Sequence, residues 1–168
     1  VVFRLPGGQK PANVQVAHDA LVPEPQAASD ITLPSLRSFM GDGWSASEAW
    51  GVWSSGARSS LRYRVTTETF GDATLLLRGN PFLSDKLPLR IDIKVNGKAS
   101  LTSTIPAGQM TPLELRVPVT TRSPGDIVDV VLEYRDPVSP AQLGISADQR
   151  QLAFGITSMK ICKPDCVD

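Results

Sequence analysis

The feature of this chain that most constrains its fold is a strict alternation of apolar and polar residues along several short segments. In Leu89–Val95 the apolar residues alternate with three charged ones, and 61–65 and 113–119 follow the same pattern. Successive side chains of a strand point to opposite faces, so each segment predicts a half-buried strand. Strands with one solvent-exposed face are typical of antiparallel sheets.

Further strand-like segments bring the expected number of strands to about eight. These segments are 14–17, 73–78, 100–105, 127–134 and 152–161. Asn96-Gly97 directly follows a predicted strand and favours a type I′ turn, so it predicts a hairpin. The 14 Pro and 13 Gly residues break the chain into short pieces. Together these patterns predict an all-β fold, an antiparallel and jelly-roll-like β-sandwich.

Three regions are expected along the chain. Residues 1–40 hold a first strand and a Pro/Ala-rich connection, residues 41–161 form the sandwich, and residues 162–168 form a cysteine-containing tail. The chain starts with Val1 rather than Met, so we expect it to be a piece of a longer protein. The one expected helical turn lies around Ser146–Arg150, with Ser146 as its cap.

Charge and hydropathy exclude some classes of partner. The chain has 17 Lys and Arg residues against 17 Asp and Glu residues. A nucleic-acid binder would need a net basic face, so no nucleic-acid partner is expected. No apolar run approaches the roughly 18 residues that a membrane-spanning helix needs, so no membrane insertion by this chain is expected.

The two cysteines, Cys162 and Cys166, lie close together near the end of the chain. Two Cys and the single His18 are too few for a four-ligand zinc site unless carboxylates join them, and we expect neither a metal nor a cofactor. The favoured interpretation is a disulfide formed in an oxidising compartment. Two free thiols and a redox-active pair are the alternatives, the latter disfavoured because its usual motif has two intervening residues.

Catalytic motifs are missing from the sequence. No Gly-x-Ser-x-Gly nucleophile motif accompanies His18, and no glycine-rich phosphate loop is present. Glu48, between Trp44 and Trp50, is the carboxylate best placed to lie beside a sugar. Glycoside hydrolysis needs two such groups, so we expect no catalytic residues in this chain.

All three tryptophans, Trp44, Trp50 and Trp53, fall within ten residues. Indole rings offer a flat, rigid and amphipathic surface, which suits the apolar CH faces of pyranose rings. Trp is also mostly buried in proteins, so the segment can equally be core that closes one end of the sandwich. The odd spacing of Trp50 and Trp53 predicts that they point to opposite faces of a strand.

Two blocks of sequence carry a resemblance to a known family. The first is Gly43-Trp44-Ser45-x-x-Glu48-x-Trp50-Gly51-x-Trp53-Ser54-x-Gly56, and the second runs from Ser139 to Leu152, with a Val-Asn-Gly hairpin between them. Over residues 41–161 the chain resembles β-sandwich domains of bacterial envelope-glycan proteins. One of these is the C-terminal domain of the periplasmic phosphoglycerol transferase that acts on osmoregulated periplasmic glucans.

The resemblance implies a non-catalytic accessory domain of a periplasmic enzyme whose parent chain is anchored in the inner membrane. Its implied partners are a glycan, with β-glucan as the candidate, and the catalytic domain of the parent; a purely structural domain that braces the catalytic domain is the alternative. Asp148 and Arg150 in the second block can pair with each other or with Glu48, or recognise sugar hydroxyls. The candidate carbohydrate-binding residues are Trp44, Glu48, Trp50, Trp53, Asp148 and Arg150.

Overall fold

The computed structural model describes residues 22–166, which form eight strands and one short 3₁₀ helix. The strands are β1 (Val52–Trp53), β2 (Arg58–Arg64), β3 (Asp72–Pro81), β4 (Leu89–Val95), β5 (Lys98–Ile105), β6 (Leu113–Thr120), β7 (Ile127–Arg135) and β8 (Phe154–Cys162). The helix, Ser35–Phe39, precedes β1. The predicted all-β fold is confirmed, while the strand predicted at 14–17 lies outside the described residues.

The strands form two antiparallel four-stranded sheets. Sheet A has the order β1-β8-β3-β6 and sheet B the order β2-β7-β4-β5. Consecutive strands lie in opposite sheets except at the β4–β5 hairpin, which is the alternation of a jelly roll. The chain therefore crosses between the sheets at almost every connection, and the core fills the space between them.

The alternation seen in the sequence produces this core. In β4, Leu89, Ile91 and Ile93 are buried between the sheets, and the intervening charged residues are partly exposed. Strand β8 differs, because it is buried on almost every residue. Sheet neighbours lie on both sides of it, and the segment around Ile31 pairs with it through Met159.

The predicted hairpin at Asn96-Gly97 is confirmed. Both residues have positive φ, 49° and 80°, and the turn joins β4 to β5. A type I′ turn needs positive φ at both central positions, which Asn and Gly adopt readily.

The prediction of a helical turn around Ser146–Arg150 is wrong. The Ser146 hydroxyl accepts a hydrogen bond from the Asp148 amide, and the Asp148 carboxylate accepts one from the Arg150 amide. Such local bonds from side chain to backbone offer an alternative to helical hydrogen bonds, and the segment forms irregular turns.

The segment before β1 and the end of the chain both pack on the sandwich. Leu36 and Phe39 of the 3₁₀ helix are buried in the main core. At the other end, Cys162 and Cys166 form a disulfide, and both cluster with Leu76 on the outer face of sheet A. No helix within residues 22–166 is long and apolar enough to cross a membrane.

The two ends of the sandwich differ in their connections. One end holds 82–88, 106–112 and 136–153, where β3, β5 and β7 finish and the next strands begin. We call it the long-loop end. Strand β1 also finishes there, since Trp53 pairs with Gly155 at the start of β8. The tryptophan segment is thereby placed beside 136–153, the longest connection between strands in the described chain.

Candidate functional site

The two sequence blocks behind the family resemblance meet at the long-loop end. The Ser54 hydroxyl, after β1, accepts hydrogen bonds from the backbone N–H groups of Ala153 and Phe154 at 3.2 and 2.9 Å. The Gly56 N–H donates to the Gln151 carbonyl at 2.9 Å. These bonds bring the tryptophan segment next to the Asp148–Arg150 turn, a juxtaposition that sequence separation alone does not reveal.

Trp50 is the tryptophan that the fold leaves open to solvent. Its side chain is 39% exposed, whereas Trp44 and Trp53 are only partly exposed. The six-membered ring lies against the bare backbone of Gly155: a Cβ atom there would be 2.6 Å from Trp50 Cη2 and 2.9 Å from Trp53 Cε3. Glycine inside a strand often marks such a close approach. Gly155 thus makes room for both indole rings on the outer face of sheet A.

Trp53 links Trp50 to a third ring, Phe82. The Trp50 and Trp53 ring centroids are 5.0 Å apart and the ring planes meet at 70°. Trp53 and Phe82 are 5.6 Å apart at 78°. Edge-to-face contacts of this kind add about 0.5–1.5 kcal/mol beyond area burial, so they hold the rings in place. We call Trp50, Trp53 and Phe82 the aromatic row.

Glu48 fixes the orientation of the exposed indole. The Trp50 Nε1–H donates to Glu48 Oε2 at 2.7 Å, and the Glu48 N–H donates to the Gly51 carbonyl at 2.9 Å. The second bond closes a tight turn that brings the carboxylate back to the ring. An indole whose N–H is satisfied within its own turn is preorganised, which lowers the entropic cost of binding against it.

Asp148 and Arg150 pair with each other, one of the two pairings that the sequence left open. The guanidinium Nη2–H and Nε–H donate to the Asp148 carboxylate at 2.6 and 3.0 Å. Hydrogen bonding from Arg150 lowers the pKa of Asp148. The same bond raises the pKa of Arg150, and the Glu48 carboxylate contributes to that rise. Glu48 therefore lies within electrostatic reach of the pair without a direct bond to it.

Trp44 stands apart from this arrangement. Its Nε1–H donates to the Ser60 carbonyl of β2 at 2.7 Å, and its backbone bridges to Ser54. Its ring packs against the main core. Trp44 therefore fastens the tryptophan segment to both sheets and presents little surface to a ligand.

Two residues of the aromatic surface, Phe82 and Gly155, were not predicted. Gly155 lies inside an otherwise apolar run, and a glycine there is a usable signal of close approach. Phe82 follows β3 and carries no such signal. Asn80 was missed as well; it lies in register with Gly155 on the side opposite Trp53.

The arrangement suits binding better than proton transfer. Glu48 is bonded to an indole N–H, and the lowered pKa of Asp148 makes it a poor proton donor near neutral pH. Within residues 22–166, no three His, Cys, Asp or Glu side chains are grouped closely enough to hold a metal ion. His18, the remaining candidate for acid–base chemistry, lies outside the described residues.

Comparison with known proteins finds structural neighbours only, since no family model and no curated protein matches the chain. One neighbour is the CBM36-1 domain of a multidomain xylanase from the hindgut metagenome of Trinervitermes trinervoides (20% identity, 79% of this chain and 94% of that chain, TM-score 0.47). Another is the CBM6-3 module of Clostridium stercorarium in complex with cellobiose (13%, 84% and 96%, 0.42).

A third neighbour is an acetyl xylan esterase from Butyrivibrio proteoclasticus (9% identity, TM-score 0.47), with 80% of this chain aligned to 32% of that enzyme. At such identities and TM-scores these neighbours assign no function to this chain. The resemblance to the phosphoglycerol transferase domain stays a prediction from the sequence blocks.

Proposed function

We propose that this chain is a non-catalytic accessory domain that binds a glycan at the aromatic row. The observation that carries the proposal is Trp50: an exposed indole, seated on Gly155 and oriented by Glu48. An exposed ring that these contacts hold in place is a preorganised binding surface. The flat CH face of a pyranose is a ligand that such a surface fits.

Polar groups around the rings supply what sugar hydroxyls need. Glu48 keeps a second carboxylate oxygen, Asn80 has an amide, and Arg150 has N–H donors beyond those of Nε and Nη2 that bond to Asp148. A few placed polar groups around an apolar floor are typical of small-ligand sites. The rings would supply affinity, and the polar groups around them would set the orientation of the sugar.

The finer identity that we propose rests on the sequence blocks. It is an accessory domain of a periplasmic phosphoglycerol transferase-like enzyme that helps to hold a linear β-glucan acceptor. The Cys162–Cys166 disulfide supports an oxidising compartment such as the periplasm. The chemistry would then be carried out by the catalytic domain of the parent.

Calorimetric titration with linear β-glucan oligosaccharides tests the proposal. Loss of the stacking ring in Trp50→Ala should weaken binding at least tenfold, by about 1.4 kcal/mol or more, and should lower stability by only the about 0.5–1.5 kcal/mol of the contact between Trp50 and Trp53. Trp44→Phe is the matched control: it should lower stability, since it loses the bond to Ser60, and keep the affinity. Absence of binding by the unaltered chain at millimolar oligosaccharide, or equal binding by Trp50→Ala, would contradict the proposal.

A second function, docking onto a catalytic domain, is favoured by a separate observation. Three large apolar side chains, Leu87, Met110 and Ile145, are exposed, each on a different connection of the long-loop end. Exposed apolar residues gathered at one end suit a protein contact. Replacing all three by Ser should release the domain from its parent without changing glycan affinity; a lost affinity would assign these residues to the glycan site instead.

A further inference from the structure

Strand β5 is the outer strand of sheet B, and the described residues leave its free edge unpaired. We propose that this edge pairs with β5 of a second copy of the chain, in antiparallel orientation about a two-fold axis at Ser103. The resulting dimer would join two B sheets into one continuous sheet.

The other three sheet edges are protected. Beyond β2, the Gly41 N–H and the Asp42 carbonyl bond to Ser60. Beyond β1, the Ser45 N–H bonds to the Trp53 carbonyl. Strand β6 carries Pro118 in its middle, and proline is a standard means of blocking an edge.

Strand β5 has none of these protections along its second half. Residues 99–112 contain no charged residue, and 99–105 contain no proline. The hydroxyl of Ser100, at the irregularity near the start of β5, bonds to the Pro118 carbonyl and ties that part of the strand to β6. Within the described part of the chain, residues 101–105 are left without a charge, a proline or a covering segment, and an edge that lacks these protections is open to pairing with another strand.

The sequence of 101–105 is nearly palindromic. It reads Leu-Thr-Ser-Thr-Ile, so antiparallel pairing centred on Ser103 places Leu101 opposite Ile105 and Thr102 opposite Thr104. Leu101 and Ile105 face the interior side, and both threonines are exposed on the outer side. Apolar residues pair with each other on the inner face and threonines pair with each other on the outer face, as an isologous two-fold interface requires. Pairs of β-branched residues stabilise such contacts.

The backbone N–H and C=O groups of β5 are oriented as this pairing requires. The Asn96-Gly97 turn closes on Val95 and Lys98, so Val95 bonds to β5, and by alternation Ile93 and Ile91 do too. Their partners Leu101 and Ser103 therefore bond inward, and the N–H and C=O groups of Thr102 and Thr104 point outward. Thr102 of each copy then forms a hydrogen-bonded pair with Thr104 of the other copy. Each of these two pairs exchanges two backbone hydrogen bonds, which gives four bonds in all.

Such an interface is small, so we expect a weak dimer that forms at high protein concentration. Sedimentation equilibrium of the full chain should show the average mass rising above the 18.0 kDa of the monomer as concentration increases. Amide hydrogen exchange at Thr102 and Thr104 should slow over the same range, while that of Ser103, already bonded to β4, should change little.

Thr104→Pro is the decisive variant, because it removes an outward N–H and no bond to β4. It should abolish the concentration dependence of the mass, and Thr104→Val, which keeps both the N–H and a β-branched side chain, should preserve it. A chain that stays monomeric at about 1 mM, where even weak association is visible, would overturn the proposal. A dimer that Thr104→Pro leaves intact, or an edge that accepts only a foreign strand, would overturn it as well.

Discussion

Trp44, Trp50 and Trp53 meet three different environments although they lie within ten residues. Trp44 is bonded to β2 and packed on the core, Trp53 is held between two rings, and Trp50 is exposed. The sequence predicted that Trp50 and Trp53 would point apart on one strand. Trp50 instead precedes β1, and its ring meets Trp53 edge-on over Gly155. The glycine that allows this contact is about a hundred residues away in the chain, so local spacing could not predict it.

The role of Glu48 can be tested by a pair of substitutions. Glu48→Ala removes the acceptor of the Trp50 N–H and should weaken glycan binding about fivefold, the equivalent of one hydrogen bond of about 1 kcal/mol. Glu48→Gln keeps an oxygen acceptor and should retain most of the affinity. The measurement is calorimetric titration, with the fluorescence anisotropy of Trp50 in a Trp44→Phe/Trp53→Phe background as a readout of ring mobility. Equal affinities for both variants and the unaltered chain would show that the bond does not position the ring.

Asp148 predicts a pH dependence of stability. Its pKa is lowered in the folded chain, chiefly by the hydrogen bond from Arg150, so its stabilising contribution is present above the ordinary Asp pKa of about 3.9. That contribution is lost as the pH falls through the lowered value. Urea unfolding should show Asp148→Asn to be less stable than the unaltered chain at about pH 7, with a smaller difference at about pH 3. A difference that is unchanged or grows on acidification would be contrary to this assignment.

At the scale of elements, periodicity predicted the long strands and missed the short ones. The alternating segments at 89–95 and 113–119 lie in strands, and the segment at 61–65 lies in β2 as far as Arg64, because one face of each is buried. Strand β1 has two residues, too few to show a period, and exists because it pairs with β8. The 3₁₀ helix likewise depends on burial of Leu36 and Phe39. Elements that tertiary contacts stabilise are invisible to local patterns.

Ser54 joins β1 to β8 and offers a test at this scale. Its fully buried hydroxyl accepts from two backbone N–H groups, of Ala153 and Phe154. Ser54→Ala leaves both buried donors without that acceptor and should lower the free energy of unfolding by about 2–4 kcal/mol. Ser55→Ala, at the partly exposed neighbouring position, should change it by less than about 0.5 kcal/mol. The measurement is chemical denaturation, and comparable losses in both variants would refute a special role for Ser54.

At the scale of the whole molecule, the sandwich was predictable and its strand order was not. The sequence predicts a hairpin only at Asn96-Gly97, and β4–β5 is the one pair of consecutive strands in the described chain that shares a sheet. Every other pairing joins strands distant in sequence, for which turn chemistry carries no information. That non-local order brings the blocks around Trp50 and Arg150 together and leaves β5 as an open edge. The candidate site is thus a product of the topology more than of either block alone.

The proposed contact between Trp50 and a glycan can be followed by NMR of the backbone amide and indole N–H groups. The chain has three tryptophans, so three indole N–H signals can be followed during titration with a linear β-glucan oligosaccharide. We predict saturable shifts of the Trp50 indole and of the Gly155 amide beneath it, with the Trp44 indole unmoved. A Trp50 signal that stays in place at millimolar oligosaccharide, or shifts centred on Trp44, would contradict the proposed contact.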